Sequence, residues 1–176
     1  MSLAPHPAPH AGVTQLLVAG IGEMVISRDP KTTLVAYGLG SCVALAAWDP
    51  VTAVGGLAHF MLPTTPPSAV PPGPPAKFID GGLPAFLERF ARHGGRPGHA
   101  RFKAAGGAAM LVLLSGGSSG GLEIGRRNAE ALSAGLAALG LTLHARDLGG
   151  PAGRTVQLEV GTGRLLVKSL STVTAL

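Results

Sequence analysis

The sequence predicts an α+β fold. Short apolar or alternating runs bounded by glycine, proline and aspartate dominate the chain, the pattern of β-strands. Only two segments, 83–92 and 124–139, space their apolar residues as a helix does. Many strands with two helices to cover a sheet make the class α+β. At 176 residues, 46% of them hydrophobic, the chain can bury a proper core as one domain. Aromatic residues are only 4% of it, so that core is built mainly from Ala, Leu and Val.

Taken in order, residues 1–12 are Pro, His and Ala without periodicity and are expected to form a disordered tail before a single domain over 13–176. His6 and His10 make half a metal site, but no nearby Cys, Asp or Glu completes it, so no metal is expected. Val13–Ser27 is apolar and interrupted by Gly20 and Gly22, which predicts one or two strands with a bend. Asp29-Pro30 predicts a turn, and Leu34–Leu39 a strand feeding the turn Gly38–Ser41. Val43–Trp48 and Val54–Met61 flank Asp49-Pro50-Val51-Thr52 and predict a hairpin. Pro63–Pro75 holds seven prolines and no hydrophobic period, so it is read as a loop near the strand it leaves.

In the first helix Leu83, Phe86, Leu87 and Phe90 share one face, Pro84 suits the first turn, and His93-Gly94-Gly95 is a stop. Arg101–Leu114 is expected to be a buried strand bulged at Gly106-Gly107, with the Lys103 amine at a strand end in water. Ser115–Gly121 reads as a flexible loop and matches neither a P-loop nor a dinucleotide fingerprint. The second helix puts Asn128, Leu132, Gly135, Leu136 and Leu139 on one face and stops at Gly140. Leu141–Arg146 follows as a strand, then a glycine-rich loop 147–153 in which Asp147 and Arg154 are expected to pair. Arg154–Val160 and Arg164–Lys168 alternate around Gly161-Thr162-Gly163, a hairpin.

Composition narrows the function. One cysteine, Cys42, excludes an internal disulfide framework and suits a reducing compartment. No run approaches the roughly 18 apolar residues of a membrane span, and the N-terminal residues lack the basic-then-apolar pattern of a secretory signal. Cytoplasmic location without membrane insertion is the expectation. The net charge of +5 invites a nucleic-acid reading, but the arginines are scattered and Tyr and Trp occur once each. No nucleic-acid partner is expected; a basic surface also suits an acidic protein partner.

The pair that carries chemistry is Cys42 and His59. A turn centred between Pro50 and Val51 puts them directly opposite, with Cβ atoms roughly 4.5–5.5 Å apart. A bulge or longer loop would change that register. An imidazole beside a thiol favours the thiolate, the nucleophilic form. Gly38-Leu39-Gly40-Ser41 would let substrate approach the backbone, and N–H groups around Ser41 and Cys42 could hold an oxyanion. A lone cysteine in a strand is also commonly a small buried hydrophobe, and the pairing alone does not decide between the two readings.

Gly38–Leu45 (GLGSCVAL), the Asp49-Pro50 turn and Gly55–Pro63 (GGLAHFMLP) resemble the signature of the CheD family, the chemoreceptor glutamine deamidases of bacterial chemotaxis. Lys77–Asp80, Phe102–Ala108, Ile124–Asn128, Asp147–Gly150 and Gly153-Arg154 match further family motifs in order, so the resemblance spans about residues 14–170.

The resemblance implies a layered sandwich of mixed β-sheets with two main helices and a Cys–His site at one edge. It implies Cys42 as nucleophile, His59 as general base and acid, support from Gly40 and Ser41, and no cofactor. The expected reaction is hydrolysis of glutamine side chains in chemoreceptor cytoplasmic domains through a thioester. The family's third catalytic member is a threonine six residues before the nucleophile, and here that position is Ala36. A methyl group cannot orient an imidazole, so a backbone carbonyl, Thr33 or Tyr37 must replace it or leave His59 less well held. Because some CheD proteins also bind the chemotaxis phosphatase CheC, the alternative is a weakly active or inactive binding module. A cysteine peptidase or transglutaminase would keep the nucleophile and change the reaction.

Overall fold

The computed structural model describes residues 15–68, 73–109, 120–170 and 172–176. Its strands form two mixed five-stranded sheets. The first runs, in spatial order, β1 (Gln15–Val18), β3 (Thr32–Leu39), β8 (Arg154–Glu159), β9 (Leu165–Ser169) and β10 (Thr172–Ala175). The second runs β2 (Met24–Ser27), β5 (Val54–Phe60), β4 (Val43–Asp49), β6 (Arg101–Gly106) and β7 (Leu143–Leu148). The pairs β1–β3 and β6–β7 are parallel and the others antiparallel. Helices α1 (Ile79–Arg92) and α2 (Gly120–Ala138) cover the second sheet. The α+β sandwich expected from the sequence is what the chain forms. Among the described residues no helix is long and apolar enough to cross a membrane.

Period-2 alternation assigns the faces. Leu34 and Ala36 of β3, Val156 and Leu158 of β8, and Leu165 and Val167 of β9 point inward. They meet Ala44, Ala46, Leu57 and Ala105 of the second sheet. The opposite face of that sheet carries Leu45, Ala58, Phe60, Phe102 and Ala104 against Leu83, Phe86 and Phe90 of α1 and Leu132 and Leu136 of α2. Gly56 of β5 makes room there, since a Cβ on it would lie 3.0 Å from the Phe86 ring.

The hairpin register differs from the expected one. Ala44 faces His59 and Val43 faces Phe60, so Cys42 is not directly opposite His59. The connection is a four-residue loop, Pro50–Ala53, closed by the pair Asp49–Val54. Buried Asp49 builds it: Oδ1 accepts the Val51 N–H at 2.9 Å, and the Asp49 carbonyl accepts the Ala53 N–H at 2.9 Å. Ala53 takes the left-handed turn that closes such a loop, with φ of 54°. Oδ2 accepts both the N–H and the Nε of Arg96 at 3.0 Å.

Other boundaries also move. The run expected to give one or two strands forms two, β1 and β2, and these lie in different sheets. Helix α1 begins at Ile79, four residues early, so Pro84 lies inside it. Its start is held by the tertiary bond from Ile79 N–H to the Leu62 carbonyl and by Asp80 accepting from Thr65 N and Oγ1. Strand β6 ends at Gly106, where Gly106 and Gly107 both have positive φ; residues 110–114 of the expected strand lie outside the described residues. β7 is shifted two residues later than expected, and β10 carried no recognised sequence signal. Lys103 sits mid-strand with Nζ donating to the Gly163 and Leu176 carbonyls at 2.8 and 2.7 Å, not in water. The Asp147–Arg154 pair forms at 2.8 Å. The tail 1–12, part of the proline-rich segment (69–72) and most of the serine–glycine segment (115–119) lie outside the described residues.

Candidate active site

The chain crosses between the two sheets at Ala19–Glu23 and again at Gly38–Cys42, and the two crossings meet around His59. In the first, β1 ends as Ala19 N–H donates to the Val35 carbonyl at 2.8 Å. The chain then turns through Gly22, whose φ is 78°. Gly22 N–H donates to the His59 carbonyl, and His59 N–H donates to the Glu23 carbonyl, both at 2.9 Å. In the second, β3 ends at Leu39, and Gly40, Ser41 and Cys42 lead into β4.

His59 projects from β5 on the same face as Ala44 and Leu57, into the layer between the sheets, and is 1% exposed. Its Nδ1 lies 3.2 Å from the Ala19 carbonyl oxygen. A carbonyl only accepts, so the ring hydrogen is on Nδ1 and the lone pair on Nε2. Nε2 is buried with no hydrogen-bond partner among the described residues. Cys42, half-buried, packs against the same inter-sheet layer two residues before Ala44. The two residues are diagonal neighbours, an arrangement with typical spacing of about 7–8 Å.

Burial favours the neutral form of each group. Burial pushes the Cys42 thiol up, while its own backbone N–H, close to the sulfur, pulls it down by less. Burial lowers the His59 imidazole, and the bond to Ala19 opposes that by less.

The backbone ahead of the thiol is clamped by its carbonyls. The Gly40 carbonyl accepts from Ala108 N–H at 2.8 Å and the Cys42 carbonyl from Gly107 N–H at 2.7 Å. The Ser41 carbonyl accepts from Asn128 Nδ2 at 2.8 Å. The N–H groups of Ser41 and Cys42 donate to no other described residue. Three consecutive carbonyls tied back, with the amides between them bonded to no other described residue, is an arrangement that can receive negative charge.

Ala36 is fully buried in the inter-sheet layer, so its methyl lies among apolar side chains. Tyr37, 50% exposed, points to the outer face, and Thr33 shares that alternation. Of the groups the sequence offered to orient His59, the backbone carbonyl is the one present, and it belongs to Ala19. No side-chain signal could have found it. Among the described residues no group of His, Cys, Asp and Glu is arranged to hold a metal ion.

Comparison with known proteins gives the family. A family model described as CheD chemotactic sensory transduction matches residues 61–169. The probable chemoreceptor glutamine deamidase CheD of Symbiobacterium thermophilum is 42% identical over 156 residues, covering 89% of this chain and 93% of that protein. The probable chemoreceptor glutamine deamidase CheD 2 of Anaeromyxobacter dehalogenans is 39% identical over 158 residues, 88% of this chain and 94% of that one. The chemoreceptor glutamine deamidase CheD of Thermotoga maritima is 38% identical over 153 residues, 87% of this chain and 91% of that one. With model and relatives each covering most of the chain, this protein belongs to the CheD family.

Proposed function

We propose that the protein hydrolyses the side-chain amide of selected glutamines in chemoreceptor cytoplasmic domains, yielding glutamate and ammonia, and that it does so in the cytoplasm. The observation that carries this reading is the buried, unpartnered Nε2 of His59, held in its accepting tautomer in the layer where Cys42 packs. The names of the CheD relatives supply the substrate class.

In the acylation step Cys42 Sγ bonds to the glutamine Cδ while its proton passes to His59 Nε2. The carbonyl π pair moves to oxygen, where the Ser41 and Cys42 N–H groups receive it. The C–N bond then breaks, the imidazolium proton goes to the departing nitrogen, and ammonia leaves a thioester. Water attacks the thioester with His59 taking its proton, and the thiol returns as glutamate is released. The Ala19 carbonyl holds the ring through each transfer and stabilises the charged form as it appears.

A second reading is favoured by Ala36. With a methyl where the family threonine would be, the chain would serve chiefly as a binding module for receptors or for a CheC-type phosphatase. The test is ammonia release from a purified chemoreceptor cytoplasmic fragment, with mass spectrometry locating each Gln→Glu change. Site-specific conversion that disappears in Cys42→Ala is the expected result. Binding of the fragment without conversion would replace the enzyme by the module.

A further inference from the structure

Asn128 is fully buried on α2, and its amide reaches the backbone just before β4 and just after β5. Nδ2 donates to the Ser41 carbonyl at 2.8 Å and to the Met61 carbonyl at 2.9 Å. Two acceptors fix the amide orientation, because turning it would set oxygen against two carbonyls. That leaves Oδ1 buried with no hydrogen-bond partner among the described residues, a position an amide occupies only at a cost. An apolar side chain would avoid that cost, so the residue is not explained by packing alone.

Its two contacts define what it does. Ser41 precedes the cysteine and Met61 follows the histidine by two residues, so one amide ties the nucleophile's segment to the base's strand. In a trans peptide the C=O and the N–H point in opposite directions. Drawing the Ser41 carbonyl toward α2 therefore turns the N–H of Cys42 away from α2, and that N–H lies close to the sulfur. The helix is seated for this reach by glycines. A Cβ on Gly125, one turn before Asn128, would lie 2.5 Å from the Ala108 carbonyl oxygen and 2.7 Å from that of Gly107. A Cβ on Gly106 would lie 2.3 Å from the Cys42 carbonyl oxygen.

We propose that Asn128 is a positioning residue for acyl transfer: it sets the plane of the Ser41–Cys42 peptide so that the Cys42 N–H faces the developing oxyanion. The proposal rests on the nucleophilic role given to Cys42 above. It separates two reactions of the same sulfur. Attack on a carbonyl builds an oxyanion, whereas displacement on iodoacetamide forms the S–C bond as iodide leaves and builds none.

The experiment compares wild type with Asn128→Asp and Asn128→Leu on three readouts: kcat for ammonia release from the receptor fragment, acylation of Cys42 by p-nitrophenyl acetate, and the rate of Cys42 alkylation by iodoacetamide. Both variants should lose roughly 100-fold or more in kcat and clearly slow acylation, the size of a lost oxyanion donor. Their alkylation should stay within about threefold of wild type, as expected if thiol access and ionisation are intact. Parallel loss of acylation and alkylation, or kcat within threefold of wild type, overturns the proposal. If neither variant melts cooperatively, Asn128→Ala, which removes both donated bonds, is read by the same criteria. Wild type that acylates but releases no ammonia refutes the deamidase reading and leaves the acylation comparison to judge Asn128.

Discussion

The two faces of the second sheet are built from different residues and do different things. The face under the helices holds the buried phenylalanines Phe60 and Phe102, packed with Phe86 and Phe90 of α1. The face toward the first sheet holds Ala44, Ala46, Leu57 and Ala105, no phenylalanine, and the buried His59, with half-buried Trp48 at its far end donating to the Val160 carbonyl. Large rings give one layer its buried area, and small side chains leave the other room for an imidazole between two sheets. The buried phenylalanines lie on one side. The lesson is that stability and chemistry can be perturbed separately.

The largest effect that should separate the faces comes from Cys42→Ala, which should lower deamidation by roughly 10⁴-fold or more. It should leave the urea midpoint almost unchanged, and an equal loss of stability would join what the comparison divides. Phe86→Ala should do the reverse. Emptying a fully buried ring site should cost about 3–5 kcal/mol in urea unfolding. Activity per folded molecule should stay near wild type under native conditions.

A pH titration sharpens the contrast within the inter-sheet face. His59 binds a proton less readily when folded than at its ordinary value of 6.5. Between the folded and unfolded values the unfolded chain holds more protons, so stability rises with pH there and falls as pH drops below 6.5. Replacing the histidine, as in His59→Gln, should flatten that slope in urea melts at stepped pH. Buried Asp49 behaves separately: its burial favours the neutral acid but is outweighed by Arg96 and the Val51 and Thr52 bonds, which hold its carboxyl well below the usual range. Its contribution is present above the ordinary 3.8 and is lost as pH falls toward the folded value. The acid limb of kcat/KM should likewise sit below 6.5, because His59 must be neutral to accept the thiol proton.

Smaller effects test finer points. Ala36→Thr should change kcat by less than about tenfold, because the Ala19 carbonyl already occupies Nδ1. The added hydroxyl should cost about 1 kcal/mol in the packed inter-sheet layer. Ala53→Gly, remote from both faces, should gain about 1 kcal/mol by relieving the left-handed φ, measured by thermal melting.

What the sequence made legible follows from how local each signal is. The turn chemistry at Asp49-Pro50, the helix face of Leu83, Phe86 and Phe90, and the stop at Gly140, whose φ is 66°, are written in neighbouring residues. The pairing of the strand that follows Cys42 with the strand that carries His59 was legible too, but its register was not. Four loop residues instead of two turn on Ala53 adopting a conformation that its side chain does not advertise. The start of α1 depends on Leu62 and Thr65, distant in sequence, so periodicity alone began the helix late. Separation of β1 from β2 into different sheets required tertiary pairing that a glycine interruption cannot specify.

The oxygen that faces His59 Nδ1 is main chain. Every amino acid at position 19 carries the same carbonyl, so no codon change deletes the contact; it can only be displaced. An alanine scan would score the thiol and the imidazole as essential and pass over their companion. Sequence drift at Ala36 is correspondingly freer here, since the acceptor is inherited with the strand crossing and not with any one side chain.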